Sequence, residues 1–141
     1  MKLVTRLATA AAAVAAVVLP AAPASANSLF STCDSVNPNY AKRCVVLEFS
    51  DLGPVRGYGS VEDLNGAGTV AAYVFVQIRR CTTCDWITVI PGTRTEAANY
   101  TLTATPWRAC EEGRYRAVLN WNYRNGQATG RIFSPSIPLV C

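Results

Sequence analysis

The pattern of apolar and polar positions divides the chain into two parts. Residues 7–19 form one apolar run that is interrupted only by Thr9. Beyond Asn27 the apolar residues recur with a period of two in several short segments, which is the periodicity of β-strands. Helical periodicity is almost absent there. The pattern therefore predicts a short leading segment, residues 1–26, and a β-rich remainder, residues 27–141.

The strand signals of the second part differ in strength. Residues 69–80 place apolar side chains on both faces, which predicts a strand in the middle of a sheet. Residues 100–105 alternate cleanly, which predicts a half-buried strand with Tyr100 and Leu102 inside and threonines on its outer face. Weaker patterns predict strands at 45–50, 56–60, 86–90 and 137–140, and a helical turn or loop over 27–40.

The end of the chain carries the strongest local signal. Residues 115–124 alternate and are followed by Asn125-Gly126, a pair that tolerates the two positive φ angles of a type I′ turn. A two-residue turn places apolar residues opposite apolar or small ones, with the Trp121 ring covering the bare backbone of Gly130. The other predicted pairs are Arg124–Gln127, Tyr123–Ala128, Asn122–Thr129, Asn120–Arg131 and Leu119–Ile132.

Six to eight short strands separated by turn signals predict an all-β domain. The expected architecture is a small antiparallel β-sandwich of immunoglobulin-like or Greek-key type, or a small barrel, stapled by disulfides. Residues 27–141 have the length of one domain, which can bury about two-thirds of the surface that its unfolded chain exposes. We expect a monomer.

The leading segment has the composition of a secretory signal peptide. Lys2 and Arg6 give it a positive start, the apolar run follows, and small residues end it at Ala26. The apolar run is shorter than the roughly 20 residues that a membrane-spanning helix needs. We therefore expect residues 1–26 to be cleaved, and the mature chain to begin at Asn27, to work outside the cell and to lack a membrane span.

All six cysteines lie beyond the leading segment, which indicates three disulfides formed in an oxidising compartment. Proximity along the chain favours the pairs Cys33–Cys44, Cys81–Cys84 and Cys110–Cys141, among 15 possible pairings. A redox-active Cys-x-x-Cys needs its first cysteine at a helix N-terminus, whereas a strand pattern follows Cys84. A structural bridge across a tight turn is the favoured interpretation, and a zinc site lacks a second such motif.

Composition removes several classes of function. The chain has no histidine, which excludes Ser-His-Asp and Cys-His nucleophiles and histidine metal ligands. Without Lys2 and Arg6, eleven basic residues face nine acidic ones, and this net charge of +2 is not that of a nucleic-acid-binding protein. We expect no enzyme activity, no cofactor and no metal. A carboxylate-dependent hydrolase is the lesser alternative, and it would use residues such as Glu48, Glu62 or Glu111.

The polar side of the predicted hairpin is the leading candidate for a binding surface. Arginine and amide side chains in such a row are suited to a polyanion or a sugar chain, and Val118 and Phe133 on the same side indicate that part of it is covered. Trp107 is a second candidate, as an exposed ring on which a sugar could stack. The residues of the polar side are Arg116, Asn120, Asn122, Arg124, Gln127, Thr129 and Arg131.

These features favour a secreted, non-enzymatic module that binds an extracellular polysaccharide or protein, and no nucleic acid. The alternative is a secreted effector of protease-inhibitor or toxin type. Its reactive loop would be residues 91–95 or the stretch that follows Cys84.

Overall fold

The computed structural model describes residues 27–36, 41–66, 68–123 and 128–141. The expected signal peptide and the Asn125-Gly126 turn lie outside these residues. The described chain forms eleven strands and no helix, and hence contains no helix capable of spanning a membrane. The strands are β1 (Asn27–Val36), β2 (Ala41–Ser50), β3 (Pro54–Asp63), β4 (Thr69–Arg79), β5 (Ile87–Pro91), β6 (Thr95–Ala98), β7 (Tyr100–Ala104), β8 (Arg108–Ala109), β9 (Gly113–Tyr123), β10 (Ala128–Phe133) and β11 (Ile137–Leu139).

Two antiparallel sheets face each other and form a β-sandwich, so the prediction of a disulfide-stapled all-β fold is confirmed. The five-stranded sheet has the order β1-β2-β3-β7, with β8 also paired to β3. The six-stranded sheet has the order β10-β9-β4-β5, with β11 paired to β9 and β6 paired to β4. The predicted central position of the strand near residues 69–80 is correct, because β4 has β9 on one side and β5 and β6 on the other.

The hairpin of β9 and β10 has the register that the sequence predicts. Trp121 lies opposite Gly130, and Leu119 lies opposite Ile132. A Cβ on Gly130 would come within 2.7 Å of the Trp121 ring, so the ring does cover the bare backbone. The predicted pair Arg124–Gln127 lies outside the described residues.

Two segments contain more strand than the sequence indicates. Residues 27–36, expected to be a turn or loop, form the edge strand β1, which pairs with β2 along its whole length. Their polar composition misled the prediction, because an edge strand with one solvated face needs few apolar residues. The glycine-rich β3 is ten residues long rather than five.

The glycines of β3 lengthen that strand without weakening the sandwich. A Cβ on Gly57 would lie 3.0 Å from the Val76 side chain, and one on Gly59 would lie 2.9 Å from Leu119. Both neighbours belong to the opposite sheet, so the missing side chains let the two sheets approach closely. Alternating glycines therefore mark an inner face here, where the sequence pattern alone indicated turns.

The inner and outer faces of strand β7 are exchanged relative to the prediction. Leu102 is 54% exposed and Tyr100 also faces outward, whereas Thr103 is only 2% exposed. The inward threonines remain satisfied because their hydroxyls bond locally: Thr103 Oγ1 donates to the Thr93 carbonyl, and Thr101 Oγ1 donates to Thr95 Oγ1. Threonine fits a buried position once its hydroxyl has a partner, so the alternation was correct and its direction was wrong.

The six cysteines form the three pairs that are closest in sequence. The Cα–Cα distances are 4.1 Å for Cys33–Cys44, 5.1 Å for Cys81–Cys84 and 5.9 Å for Cys110–Cys141. The first bridge joins opposed residues of β1 and β2, the second spans the turn between β4 and β5, and the third holds the last residue.

Candidate functional site

Three neighbouring strands of the six-stranded sheet carry positive charge without negative charge. Strands β4, β9 and β10 contain four arginines, and no aspartate or glutamate occurs in them. Strands β2 and β3 of the opposite sheet mix both signs. The small net charge of the chain therefore conceals a strongly uneven distribution. The four arginines are Arg79, Arg114, Arg116 and Arg131.

Strand register arranges the outer face of these strands in rows. One row is apolar and consists of Phe75, Val118 and Phe133. The next row towards one end of β9 is polar, and consists of Tyr73, Asn120 and Arg131. On the other side of the apolar row, Gln77 pairs with Arg116.

Arginine side chains cover the apolar row from both sides. The guanidinium carbon of Arg116 lies 4.4 Å from the centre of the Phe133 ring, and that of Arg131 lies 5.9 Å from the Phe75 ring. Phe75 is consequently 7% exposed and Val118 is fully buried, although both point away from the core. Val118 is thus covered, as expected, whereas Phe133 at the edge of the row remains 40% exposed.

Trp86, which lies in the connection between β4 and β5, packs against two of these arginines. The guanidinium carbon of Arg116 lies 4.2 Å from the Trp86 ring centre, and that of Arg79 lies 5.0 Å from it. Arg116 Nε also donates to Gln77 Oε1 at 3.0 Å. We call Arg79, Arg116, Arg131, Phe75, Trp86 and Phe133 the arginine–aromatic cluster.

The cluster is electrostatically unbalanced. Burial, together with the charges of Arg131 and Arg79, lowers the pKa of the Arg116 guanidinium below its ordinary value. Within the described parts of the chain, no carboxylate forms an ion pair with any of these three arginines. An anion bound here would relieve the mutual repulsion of the guanidinium groups, which present planar forks suited to carboxylate, sulfate or phosphate groups.

The structure brings most of the predicted binding residues together and separates one of them. Arg116, Asn120, Asn122 and Arg131 lie on one face of the six-stranded sheet. Trp107 lies at the other sheet, where the Arg56 guanidinium carbon is 4.4 Å from its ring centre. Its exposure of 40% agrees with the expected solvent contact. Arg124 lies outside the described residues.

Sequence reasoning missed the residues that β4 and the following turn contribute. Tyr73, Phe75, Gln77 and Arg79 share one face of an alternating strand, which the sequence pattern does show. Nothing in that pattern indicates that β4 pairs with β9, and this pairing creates the cluster. The sequence offered no reason to choose Trp86 among the three tryptophans.

The carboxylates proposed for a hydrolase are held in separate places. Glu48 is buried and accepts bonds from Arg56 Nε at 2.6 Å and Asn27 Nδ2 at 2.7 Å. Glu62 is exposed on β3. A hydrogen bond from Arg80 and the charge of that group lower the pKa of Glu111. Among the described residues, no group of three or more His, Cys, Asp or Glu side chains is placed to hold a metal ion.

The proposed inhibitor loop is short and anchored. Residues 92–94 connect β5 to β6. The Thr93 carbonyl accepts a bond from Thr103, and Arg94 pairs with Glu96 at 3.1 Å. A Cβ on Gly92 would overlap the carbonyl oxygen of Val74, so the connection lies directly against β4.

Comparison of the chain with protein-family models, with curated proteins and with solved structures finds no match.

Proposed function

We propose that the protein is an exported, non-enzymatic module that binds an anionic extracellular polymer on the outer face of its six-stranded sheet. The observation that carries this proposal is the concentration of arginines on β4, β9 and β10, where carboxylates are absent. Aromatic rings contact the guanidinium groups of Arg79, Arg116 and Arg131, which lowers the entropy that these side chains lose when they bind. The module presents a rigid, extended cationic surface.

The proposal that the protein is exported rests on separate features. The leading segment has the composition of a signal peptide, and the disulfides suit an oxidising compartment. A polymer outside the cell that carries carboxylate, sulfate or phosphate groups would meet this surface directly. Such contacts weaken with added salt, because counter-ions screen exposed charges beyond about 10 Å at 0.1 M ionic strength.

The proposal is tested with protein purified from the medium of a host that exports it. Retention on immobilised polyuronate, sulfated polysaccharide and polyphosphate is measured as salt is increased. The Arg116→Gln/Arg131→Gln double variant is expected to bind about tenfold or more weakly, since two charge-assisted contacts are lost.

The charge-matched control is Lys42→Gln/Arg108→Gln, which removes two exposed positive charges from β2 and β8 of the five-stranded sheet. It is expected to bind as the wild type does. Equal losses in the two double variants would show that net charge alone drives retention. Absence of salt-sensitive retention on all three polymers would refute the proposed function.

A further inference from the structure

A groove lies on the same face, beside the arginine–aromatic cluster. Its volume is about 560 Å³, within the range of roughly 300–1,000 Å³ that is typical of small-ligand sites. It shares Arg131 with the cluster. The polar side chains along it belong to Tyr73, Arg94, Asn120, Asn122, Thr129 and Arg131.

The chemistry of this lining differs from that of the cluster. Asn120 and Asn122 occupy alternate positions on β9, so their amides lie on one face roughly 7 Å apart along the strand. Tyr73 and Thr129 add hydroxyl groups from the neighbouring strands. Amides and hydroxyls both donate and accept hydrogen bonds, as the hydroxyl groups of a sugar do, whereas an ionised phosphate only accepts. The lining therefore suits a sugar better than a bare phosphate chain.

The floor of the groove is the sheet itself. Trp121 and Gly130 belong to this floor, but the Trp121 ring is part of the core and lies between the two sheets, where the Arg43 guanidinium carbon is 4.3 Å from its ring centre. The side chains that can meet a ligand in the groove are therefore the outward ones of β4, β9 and β10.

Arg131 links the two parts of the face. Its Nε donates to Asn120 Oδ1 at 2.7 Å, and its guanidinium carbon lies 5.9 Å from the Phe75 ring centre in the cluster. A ligand seated in the groove would place an acidic substituent within reach of the arginines. A ligand that uses both parts of the face therefore carries hydroxyl groups and a negative charge on the same unit.

We propose that the groove is a sugar subsite and that the ligand of this face is an acidic polysaccharide. The groove holds the hydroxyl groups of one unit, while Arg131 and Arg116 hold its carboxylate or sulfate. The inference rests on the proposed function, because it specifies which anionic polymer the face binds.

The test compares variants that lose only hydroxyl groups. In Tyr73→Phe/Thr129→Val the groove loses two hydroxyls and keeps its charge and shape. Tyr58→Phe/Ser60→Ala removes one phenolic and one aliphatic hydroxyl from the outer face of the five-stranded sheet and serves as the matched control. Calorimetric titration uses a polyuronate, a sulfated polysaccharide, an inorganic polyphosphate and the carboxyl-reduced form of the polyuronate.

The groove variant is expected to bind the acidic polysaccharides about tenfold more weakly and to bind polyphosphate unchanged, while the control variant binds as the wild type does. The polyuronate and sulfated arms identify which acidic group is preferred.

Equal affinity for polyphosphate and polysaccharide, unchanged in the groove variant, would overturn the subsite and leave the proposed function standing. Failure of every polyanion to bind would refute the proposed function instead. Tight binding of the carboxyl-reduced polymer would show that the arginines are not needed for this ligand.

Discussion

The guanidinium group of Arg116 makes more contacts than those of the neighbouring arginines on the outer face. It lies near the rings of Trp86 and Phe133, and its Nε is bonded to Gln77. Cation–π contacts are worth about 0.5–1 kcal/mol each at exposed sites. Their effect here is mainly to orient the guanidinium group, with which no carboxylate of the described residues forms an ion pair. The stem also shields apolar surface, so Arg116 contributes to both packing and the proposed binding.

Gly130 is a position of the hairpin at which a side chain has no room. Gly130→Ala is expected to lower the free energy of unfolding by about 2 kcal/mol, because the new Cβ would press on the Trp121 ring, which is enclosed between the sheets. Urea denaturation followed by tryptophan fluorescence measures the loss. Thr129→Ala, on the neighbouring exposed position, should change stability by less than about 0.5 kcal/mol. A Gly130→Ala variant as stable as the wild type would show that the ring can move aside.

At the scale of elements, β9 organises the molecule. One of its faces supplies the core with Tyr115, Leu119 and Trp121, and the other face supplies Arg116 and Asn120 to the site. It also pairs with β4, β10 and β11. Burial of the apolar face of β9 fixes the outward position of the binding residues on its other face. A shift of the strand by one residue would exchange the two faces.

Strand β7 offers a direct test of which face is buried. Leu102→Ala is expected to change the free energy of unfolding by less than about 0.5 kcal/mol, since the side chain is exposed. Thr103→Val should cost about 1 kcal/mol, because the bond to the Thr93 carbonyl is lost. Thermal and urea unfolding measure both. A core position for Leu102 would instead give a loss of about 2–5 kcal/mol for its alanine variant.

At the scale of the whole molecule, the two outer faces are chemically different. On the face of the six-stranded sheet, Arg79, Arg116 and Arg131 form no ion pair with a carboxylate of the described residues, whereas on the opposite face Arg56 is paired with the buried Glu48 at 2.6 Å. Trp107 and Leu102 are exposed on that second side. We therefore expect a polyanion to bind on the face of the six-stranded sheet and in one orientation.

The three disulfides should contribute unequally to global stability. They close sequence separations of 3, 11 and 31 residues, and a longer closed loop restricts the unfolded chain more. Replacing Cys110 and Cys141 by serine is expected to cost about 4 kcal/mol, and replacing Cys81 and Cys84 about 2 kcal/mol. Denaturant titration measures the loss of stability in each double variant and so ranks the two disulfides. The reverse order would show that the turn bridge holds the β4–β5 connection and Trp86 in place.

The sequence by itself determined the local features of this protein. Alternation located the main strands, Asn125-Gly126 and the apolar match set the hairpin register, and proximity indicated the cysteine pairs. These signals depend on residues that are neighbours along the chain or across one short turn. The polar face around Asn120 and Arg131 belongs to the same group, because one hairpin carries most of it.

Only the tertiary structure decided which elements meet and which faces are buried. The pairing of β4 with β9 brought Tyr73, Phe75 and Arg79 beside Arg116, and no local pattern encodes a contact between strands so distant in sequence. The inward face of β7 depended on hydroxyl partners that the fold alone supplies. Trp107 was placed at the opposite sheet for the same reason. Strand pairing and burial are long-range effects, so the composition of the arginine–aromatic cluster emerged only with the fold.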